Sequence, residues 1–304
     1  MKTRIAAIGL IAFAGTIWAA PDLNDSFNGL KEAVEKKDVA KVKTLAPQTS
    51  QEARKIAAEP QPSDAGAVAD WKARVEFAKG ADKYSEYALA TAATQTSDPK
   101  VTVELVDQLL AQSPKSQYLD QCASAYLAAL TKESPDKALA GATKINAAQP
   151  DNEDALLLMV TGYASKAPDR AVAAANKLVS VARAKAKPEG INEADWDKRK
   201  NYLLGQGLFY AGAGQCSKNS WVDCDRDLRA AVPLISGQQV GSAYFYLGLA
   251  NYQLGKLTQD RSRIQQGIKY SDQAAGMPGP MQGQAAKNSQ AMKGELAGPA
   301  AKGR

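Results

Sequence analysis

The clearest structural pattern in the chain is the segment S-P-D-K-A-L-A-G-A-T-K-I-N-A-A-Q-P-D-N, residues Ser134 to Asn152. Ser134 is a favourable N-cap, and Pro135 suits the first helical position because the N–H missing there would be unpaired in any case. A proline, Pro150, closes the segment. The apolar residues between them fall on one helical face: Ala138, Ala142 and Ile145. The segment therefore predicts an amphipathic helix with defined ends.

The same pattern recurs along the chain. Upstream, Asp98 and Pro99 begin a predicted helix that Pro114 ends, 36 residues before Pro150. A further helix is predicted over about Tyr118 to Leu130, just before the first segment. Two further apolar sets occupy matching positions: Thr102, Val106 and Leu109 upstream, and Val172, Asn176 and Val179 downstream. A spacing near 34 residues indicates repeated helix–turn–helix units.

Two Leu-Gly pairs mark the first helix of later units. They are Leu204–Gly205 in N-Y-L-L-G-Q-G-L-F-Y and Leu247–Gly248 in Y-F-Y-L-G-L-A-N-Y-Q-L-G-K. Together with the period, they resemble the tetratricopeptide repeat, whose pattern includes W-x2-L-G-x2-Y. The resemblance covers about Tyr84 to Pro280 and implies an all-α fold, an α-α superhelix of antiparallel helix pairs. It departs from the family pattern at Asn176, where an aromatic residue is usual, and in insertions, including one within L-T-Q-D-R-S-R-I that lengthens the last turn.

Composition agrees with a helical protein and excludes several kinds of site. The chain of 304 residues is 45% apolar and rich in alanine, the best helix former. It contains no histidine, which excludes Ser-His and Cys-His nucleophile systems and every histidine metal site. The net charge of +6 is scattered and forms no basic stripe, so nucleic acid is not an expected partner. We predict a non-enzymatic protein without metal or cofactor.

The N-terminus has the layout of a secretory signal peptide. Lys2 and Arg4 precede an apolar run from Ile5 to Ile17, and cleavage is predicted after Ala19. A buried helix or an uncleaved anchor is the alternative. No later segment is apolar enough to span a bilayer, so we expect no stable membrane insertion after cleavage. The predicted location is periplasmic or extracellular.

Four regions follow from these patterns. They are a signal peptide over 1–19, an N-terminal helical cap over 20–80, repeats over 81–281, and a weak helix with a disordered tail over 282–304. Within the cap, helices are predicted over 26–35, 39–45 and 71–79, with a loop over 59–66. Gly255 is predicted to end the helix that contains the second Leu-Gly pair, and Gly248 to admit a close neighbouring helix.

The cysteines and acids also suggest structural roles. In an exported protein, Cys216 and Cys224 are predicted to form a disulfide within a polar loop, with two free thiols as the alternative. Cys122 is then a buried small hydrophobe. The acids from Asp223 to Asp227 fail the calcium-loop pattern and fit a helix N-terminus. Acid pairs such as Glu153 with Asp154 are interpreted as solvated helix ends.

The resemblance also implies a binding face, because the first helix of each repeat lines a concave groove in this family. The residues carried over are Tyr87, Leu157, Tyr202, Gln206, Phe209, Phe245, Leu249 and Tyr252. These side chains either bind a partner or pack between repeats. The expected function is an exported scaffold that binds a protein or peptide. Cell-wall or carbohydrate binding by the same aromatics is one alternative, and an enzyme relying on carboxylates alone is another.

Overall fold

The computed structural model describes residues 21–297, so the predicted signal peptide and the last part of the predicted tail lie outside the described residues. Within 21–297 the chain forms thirteen α-helices and two short 3₁₀ helices, with no strand. The all-α prediction is therefore confirmed. The described residues divide into two compact units, with the boundary between Ala125 and Tyr126.

The first unit contains four helices and the beginning of a fifth. They are α1 (Pro21–Glu35), α2 (Val39–Ala57), α3 (Val68–Gln95), α4 (Pro99–Gln112) and α5 (Leu119–Glu133). Helix α2 packs on α3, α1 packs on both, and α4 packs mainly on α3. Part of the core consists of buried Leu23, Ala53, Ile56, Ala78 and Ala81.

Two of these helices are longer than the sequence predicts. Helix α2 continues to Ala57 through Pro47, and α3 runs unbroken for 28 residues. The predicted cap boundary at residue 80 consequently lies inside α3. Gly80 stands at that boundary, but one glycine costs a helix only about 1 kcal/mol. Burial of Ala78, Ala81 and Leu89 along the same helix offsets that cost.

The second unit contains the rest of α5 and eight further helices. They are α6 (Pro135–Ala148), α7 (Glu153–Tyr163), α8 (Pro168–Ala184), α9 (Glu193–Ser217), α10 (Trp221–Ala231), α11 (Gln238–Thr258), α12 (Arg261–Ala275) and α13 (Gln282–Ala297). From α6 onward each helix packs on the next, and α7, α9, α11 and α13 also contact one another in sequence. This pairwise packing is consistent with an α-α superhelical arrangement.

The predicted helix starts are confirmed in atomic detail. The Ser134 hydroxyl accepts a hydrogen bond from the Lys137 amide at 3.2 Å, and Asp98 accepts one from the Lys100 amide at 2.9 Å. Pro135 and Pro99 follow these caps at the start of their helices. The apolar faces predicted for the two helices are buried: Ala138, Ala142 and Ile145 in α6, and Thr102, Val106 and Leu109 in α4.

The contact between α11 and α12 depends on glycine. A Cβ placed at Gly248 would lie 2.4 Å from the Ser271 hydroxyl oxygen, so the predicted close approach is confirmed. The prediction that Gly255 ends the helix is wrong, because α11 continues to Thr258. Gly255 is instead a second close contact, and the chain reverses at Gln259, whose φ is 57°. The turn to α12 is therefore short and carries no insertion.

The structure pairs Cys216 with Cys224, with Cα atoms 5.1 Å apart. The two residues lie in the last turn of α9 and near the start of α10, not within a loop as predicted, so the bond ties two packed helices. Cys122 is free and fully buried, and burial raises the pKa of its thiol to about 12. It therefore stays protonated, as expected of a small core residue.

The interpretation of Glu153 as a solvated helix end is wrong. Its side chain is only 3% exposed and accepts hydrogen bonds from Lys185 at 3.1 Å and Arg199 at 3.4 Å. It thus joins α7 to α9 and to the end of α8. The acids of α10 are also engaged, since Asp225 pairs with Arg229 within the helix.

Candidate partner-binding surface

Three helices of the second unit, together with Met281 from the connection between α12 and α13, line an open aromatic hollow of about 230 Å³. Helix α8 forms one wall near its N-terminus, and α9 and α11 form the others. We call this the aromatic hollow and define it by these residues: Val172, Phe209, Tyr210, Ser217, Ser242, Tyr246 and Met281. Most of the large side chains around it are apolar or aromatic.

The rings on each helix contact a neighbouring ring of the same helix. Phe209 and Tyr210 meet edge to face, with ring centroids 5.2 Å apart. On α11, Tyr246 makes a similar contact with Phe245, also at 5.2 Å. Burial raises the pKa values of Tyr210 and Tyr246 above the ordinary phenol value. Both phenols are therefore neutral at physiological pH and can donate or accept a hydrogen bond.

The disulfide lies next to this hollow. Cys216 is on α9 one residue before Ser217, and its Sγ lies 3.6 Å from the carbonyl oxygen of Tyr246 on α11. At the rim, Lys218 forms an ion pair with Asp169 at the start of α8. Covalent and polar contacts thus fix the ends of the helices that form the walls.

The predicted groove residues of α9 have three different environments. Phe209 is buried and lines the aromatic hollow. Tyr202 is 52% exposed, which makes it one of the most exposed large aromatic side chains in the described chain. Gln206 exchanges two hydrogen bonds of 2.9 Å with Gln239 on α11. Its amide therefore joins two helices.

The predicted groove residues of α11, and those of α3 and α7, also lie in different environments. Phe245 and Leu249 are half-buried, while the hydroxyl of Tyr252 bonds the Glu295 carboxylate on α13. Leu157 packs against the core between α7, α8 and α9. In the first unit, Tyr87 belongs to a row of touching aromatic rings, described by its members: Phe77, Phe27, Tyr84, Tyr87 and Tyr118.

Sequence reasoning missed Tyr210 and Tyr246, which line the hollow alongside Phe209. Each stands one position after a predicted groove residue. On α9 the residues that line the hollow are Tyr210, then Ala213 and Gly214, then Ser217. On α11 they are Ser242 and Tyr246. This three-to-four-residue spacing was readable in the sequence. The groove positions carried over from the repeat family lie on a helical face that is rotated by about one residue from the face that lines the hollow.

Helix α13 is held on α11 and α12 by polar contacts together with buried apolar side chains. Glu295 accepts from Tyr252 and pairs with Lys256 at 3.1 Å. Asp272 on α12 accepts from Ser289 at 2.6 Å and Lys293 at 2.8 Å. The side chain of Met292 supplies a buried apolar contact. Charge pairing therefore contributes to the position of this helix.

These contacts predict that α13 loosens in acid. Hydrogen bonds from Tyr252 and Lys256 lower the pKa of Glu295 from 4.5, and those from Lys293 and Ser289 lower that of Asp272 from 3.8. A carboxylate whose pKa is lowered on folding stabilises the folded form at pH values above its ordinary pKa. This contribution is lost as the pH falls through the lowered pKa. We expect hydrogen-exchange protection of α13, corrected for intrinsic rates, to fall as the pH drops below the ordinary values of 4.5 and 3.8, and to keep falling through the lowered values.

A double variant supplies the control for this prediction. Asp272→Asn with Glu295→Gln removes both titrating groups, so its α13 protection is already reduced at neutral pH and changes less with acid. Equal acid sensitivity in the wild type and the double variant would contradict the assignment.

No protein-family model matches this chain, and no curated protein or solved structure matches it either. Among residues 21–297, no helix is both long and apolar enough to cross a membrane. The same residues contain no group of three or more cysteine, aspartate or glutamate side chains arranged to hold a metal ion.

Proposed function

We propose that this protein is an exported, non-enzymatic scaffold of tetratricopeptide-like helix pairs that binds a protein or peptide partner. The observation that carries the proposal is the aromatic hollow, where Phe209, Tyr210 and Tyr246 from two helices surround one concave site. Tyrosine and phenylalanine are frequent binding anchors because they offer large rigid surfaces at low entropic cost.

The hollow favours a partner segment with a large apolar side chain. Its volume suits one such anchor, and the neutral phenols of Tyr210 and Tyr246 can bond the backbone of the segment. The exposed ring of Tyr202 lies about two helical turns before Tyr210 on α9, which extends the aromatic surface. An elongated peptide or a helix laid along α9 would contact both.

Two features support export and a non-enzymatic role. A disulfide between Cys216 and Cys224 is typical of proteins that fold in oxidising compartments. The absence of histidine from the sequence removes the usual general base near neutral pH. The apolar segment at the N-terminus provides the export signal in this proposal.

The test is to fill the hollow without disturbing the core. Ser217 is exposed at the wall, so Ser217→Arg places a long cationic side chain in the site. Gln265→Arg adds the same charge at an exposed position of α12 outside the hollow and is the matched control. We expect affinity capture from the native envelope fraction, quantified by mass spectrometry, to lose a specific partner at least about tenfold only with Ser217→Arg, which corresponds to about 1.4 kcal/mol.

The outcomes separate the proposal from its alternatives. A partner retained equally by both variants would contradict binding at the aromatic hollow. Retention of the wild type on insoluble peptidoglycan or glycan, lost with Ser217→Arg, would instead establish carbohydrate binding by the same aromatics. Tyr202→Ala then shows whether binding extends along α9.

A further inference from the structure

One part of the aromatic hollow belongs to the connection between α12 and α13, residues 276–281. The half-buried Met281 at the end of this connection lines the hollow together with Tyr246 of α11. Earlier in the connection, Met277 lies against Gly241 of α11, where an added Cβ would come within 3.3 Å of the Met277 Cβ. The connection therefore runs beside α11, and moving it would open the hollow on this side.

The connection has few means of holding its own position. Pro278 and Pro280 are exposed and have no backbone N–H, so neither can donate a hydrogen bond that would fix it. Gly279 between them has open space around its Cβ position. The carbonyl oxygen of Met281 accepts a hydrogen bond of 2.9 Å from the amide of Ala285. Met281 is therefore tied to the first turn of α13.

Helix α13 is a weak helix by its own sequence. Gly283 and Gly294 each disfavour the helix relative to alanine, and an added Cβ at either would meet nothing within 4 Å, so they serve no close packing. The buried side chains of α13 are few: Ala285, Ser289 and Met292. Its docking therefore depends in part on the polar contacts of Asp272 with Ser289 and Lys293, and of Glu295 with Tyr252 and Lys256.

We propose that α13 is a regulatory strap, whose docking on α11 and α12 holds Met281 in the wall of the aromatic hollow. Release of α13 withdraws Met281 and opens the hollow. Glu295 lies about 20 Å from Met281 along the helix, so a change at its contacts alters the hollow from a distance. By linkage, a partner that binds the closed hollow tightens the docking of α13 in return. This consequence for a partner rests on the proposed function.

Methyl NMR of the full mature chain, labelled at its methionines, tests the strap without any partner. Asp272→Asn with Glu295→Gln removes both carboxylates that hold α13. The methyl groups followed are Met281 in the wall, Met277 in the connection, Met292 beneath α13, and Met159 on α7 as the reference. We expect the first three signals to move toward the position of a solvent-exposed methionine, while the reference signal stays.

Asp136→Asn with Asp151→Asn is the matched control. It removes the same charge from two exposed ion pairs of the second unit that lie outside α13 and the hollow. The proposal is overturned if the Met292 signal moves and the Met281 signal does not, because the wall then holds without the strap. It is also overturned if neither signal responds to the test variant, or if the control moves both equally.

The consequence for a partner is measured separately, by affinity capture from the native envelope fraction. The variant with Asp272→Asn and Glu295→Gln should recover at least about fivefold less partner than the wild type, the lower end of typical coupling between two sites. Equal recovery would overturn the coupling. If the wild type captures no partner, the proposed function fails, while the methyl signals still decide whether α13 holds the hollow.

Discussion

Replacing Gly267 with alanine is expected to lower the free energy of unfolding of the second unit by about 2 kcal/mol, within the range for overpacking. Gly267 on α12 faces Gly248 on α11. A Cβ at Gly267 would lie 2.9 Å from both the carbonyl oxygen of Gly248 and the amide nitrogen of Tyr252. These are backbone atoms, which cannot rotate away as a side chain could. The two helices would have to separate.

The direction of the change in stability distinguishes steric overpacking from helix propensity. Alanine is the better helix former by about 1 kcal/mol, so intrinsic propensity alone predicts stabilisation. Separating α11 from α12 also disturbs the contacts of buried Ser271, whose hydroxyl lies against Gly248 in this interface. We therefore expect the steric cost to exceed the gain in propensity, with a fall in Tm of about 4–8 °C.

Gly294 provides the matched control on α13. A Cβ there meets nothing within 4 Å, so Gly294→Ala should leave stability unchanged or raise it by up to about 1 kcal/mol. Urea denaturation followed by circular dichroism measures both variants. If Gly267→Ala is as stable as Gly294→Ala, the two helices do not approach as closely as the structure shows.

Loss of the disulfide is expected to lower the free energy of unfolding by about 2–3 kcal/mol in the loop-entropy model. Cys216 and Cys224 are separated by eight positions, and both side chains are buried where α9 meets α10. The bond restricts the unfolded chain, and its removal also loosens the wall of the aromatic hollow beside Tyr246. The variant Cys216→Ser with Cys224→Ser leaves two buried hydroxyls, which adds to the loss.

Reductant separates the bond from the substitutions. The wild type should lose stability to guanidinium when dithiothreitol is added, whereas the double serine variant should not respond. Because Cys122 is free in both proteins, it cancels in the comparison. A wild type whose unfolding midpoint is unaffected by reductant would show that the pair is not oxidised in the folded protein.

Helix starts and the all-α class could be predicted from the sequence because they depend on neighbouring residues. Ser134 and Asp98 bond amides two or three residues away, so their capping is encoded locally. The lengths of the helices could not be predicted from the sequence as well as their starts. Gly80 and Pro47 are local helix breakers, yet α3 and α2 run through them. The packing of each helix on its neighbours outweighs the free-energy cost of one glycine or one proline.

The candidate site was predicted only in part. Phe209 was singled out and does line the aromatic hollow, but Tyr210 and Tyr246 were missed and Tyr252 is engaged by α13. A repeat pattern gives the register along a helix, whereas the face that stays open depends on the rotation of each helix against its neighbours. That rotation is set by close contacts such as those at Gly248 and Gly255.

Amino-acid order alone establishes that this chain is helical, where most helices begin, which two cysteines are near enough to pair, and that no histidine chemistry is available. Each of these depends on composition or on residues a few positions apart. The folded structure was needed to see which side chains share a hollow, and that the buried Glu153 carboxylate meets Lys185 and Arg199. Those pairings join residues about 30 to 50 positions apart, and they follow from helix packing, which no local pattern specifies.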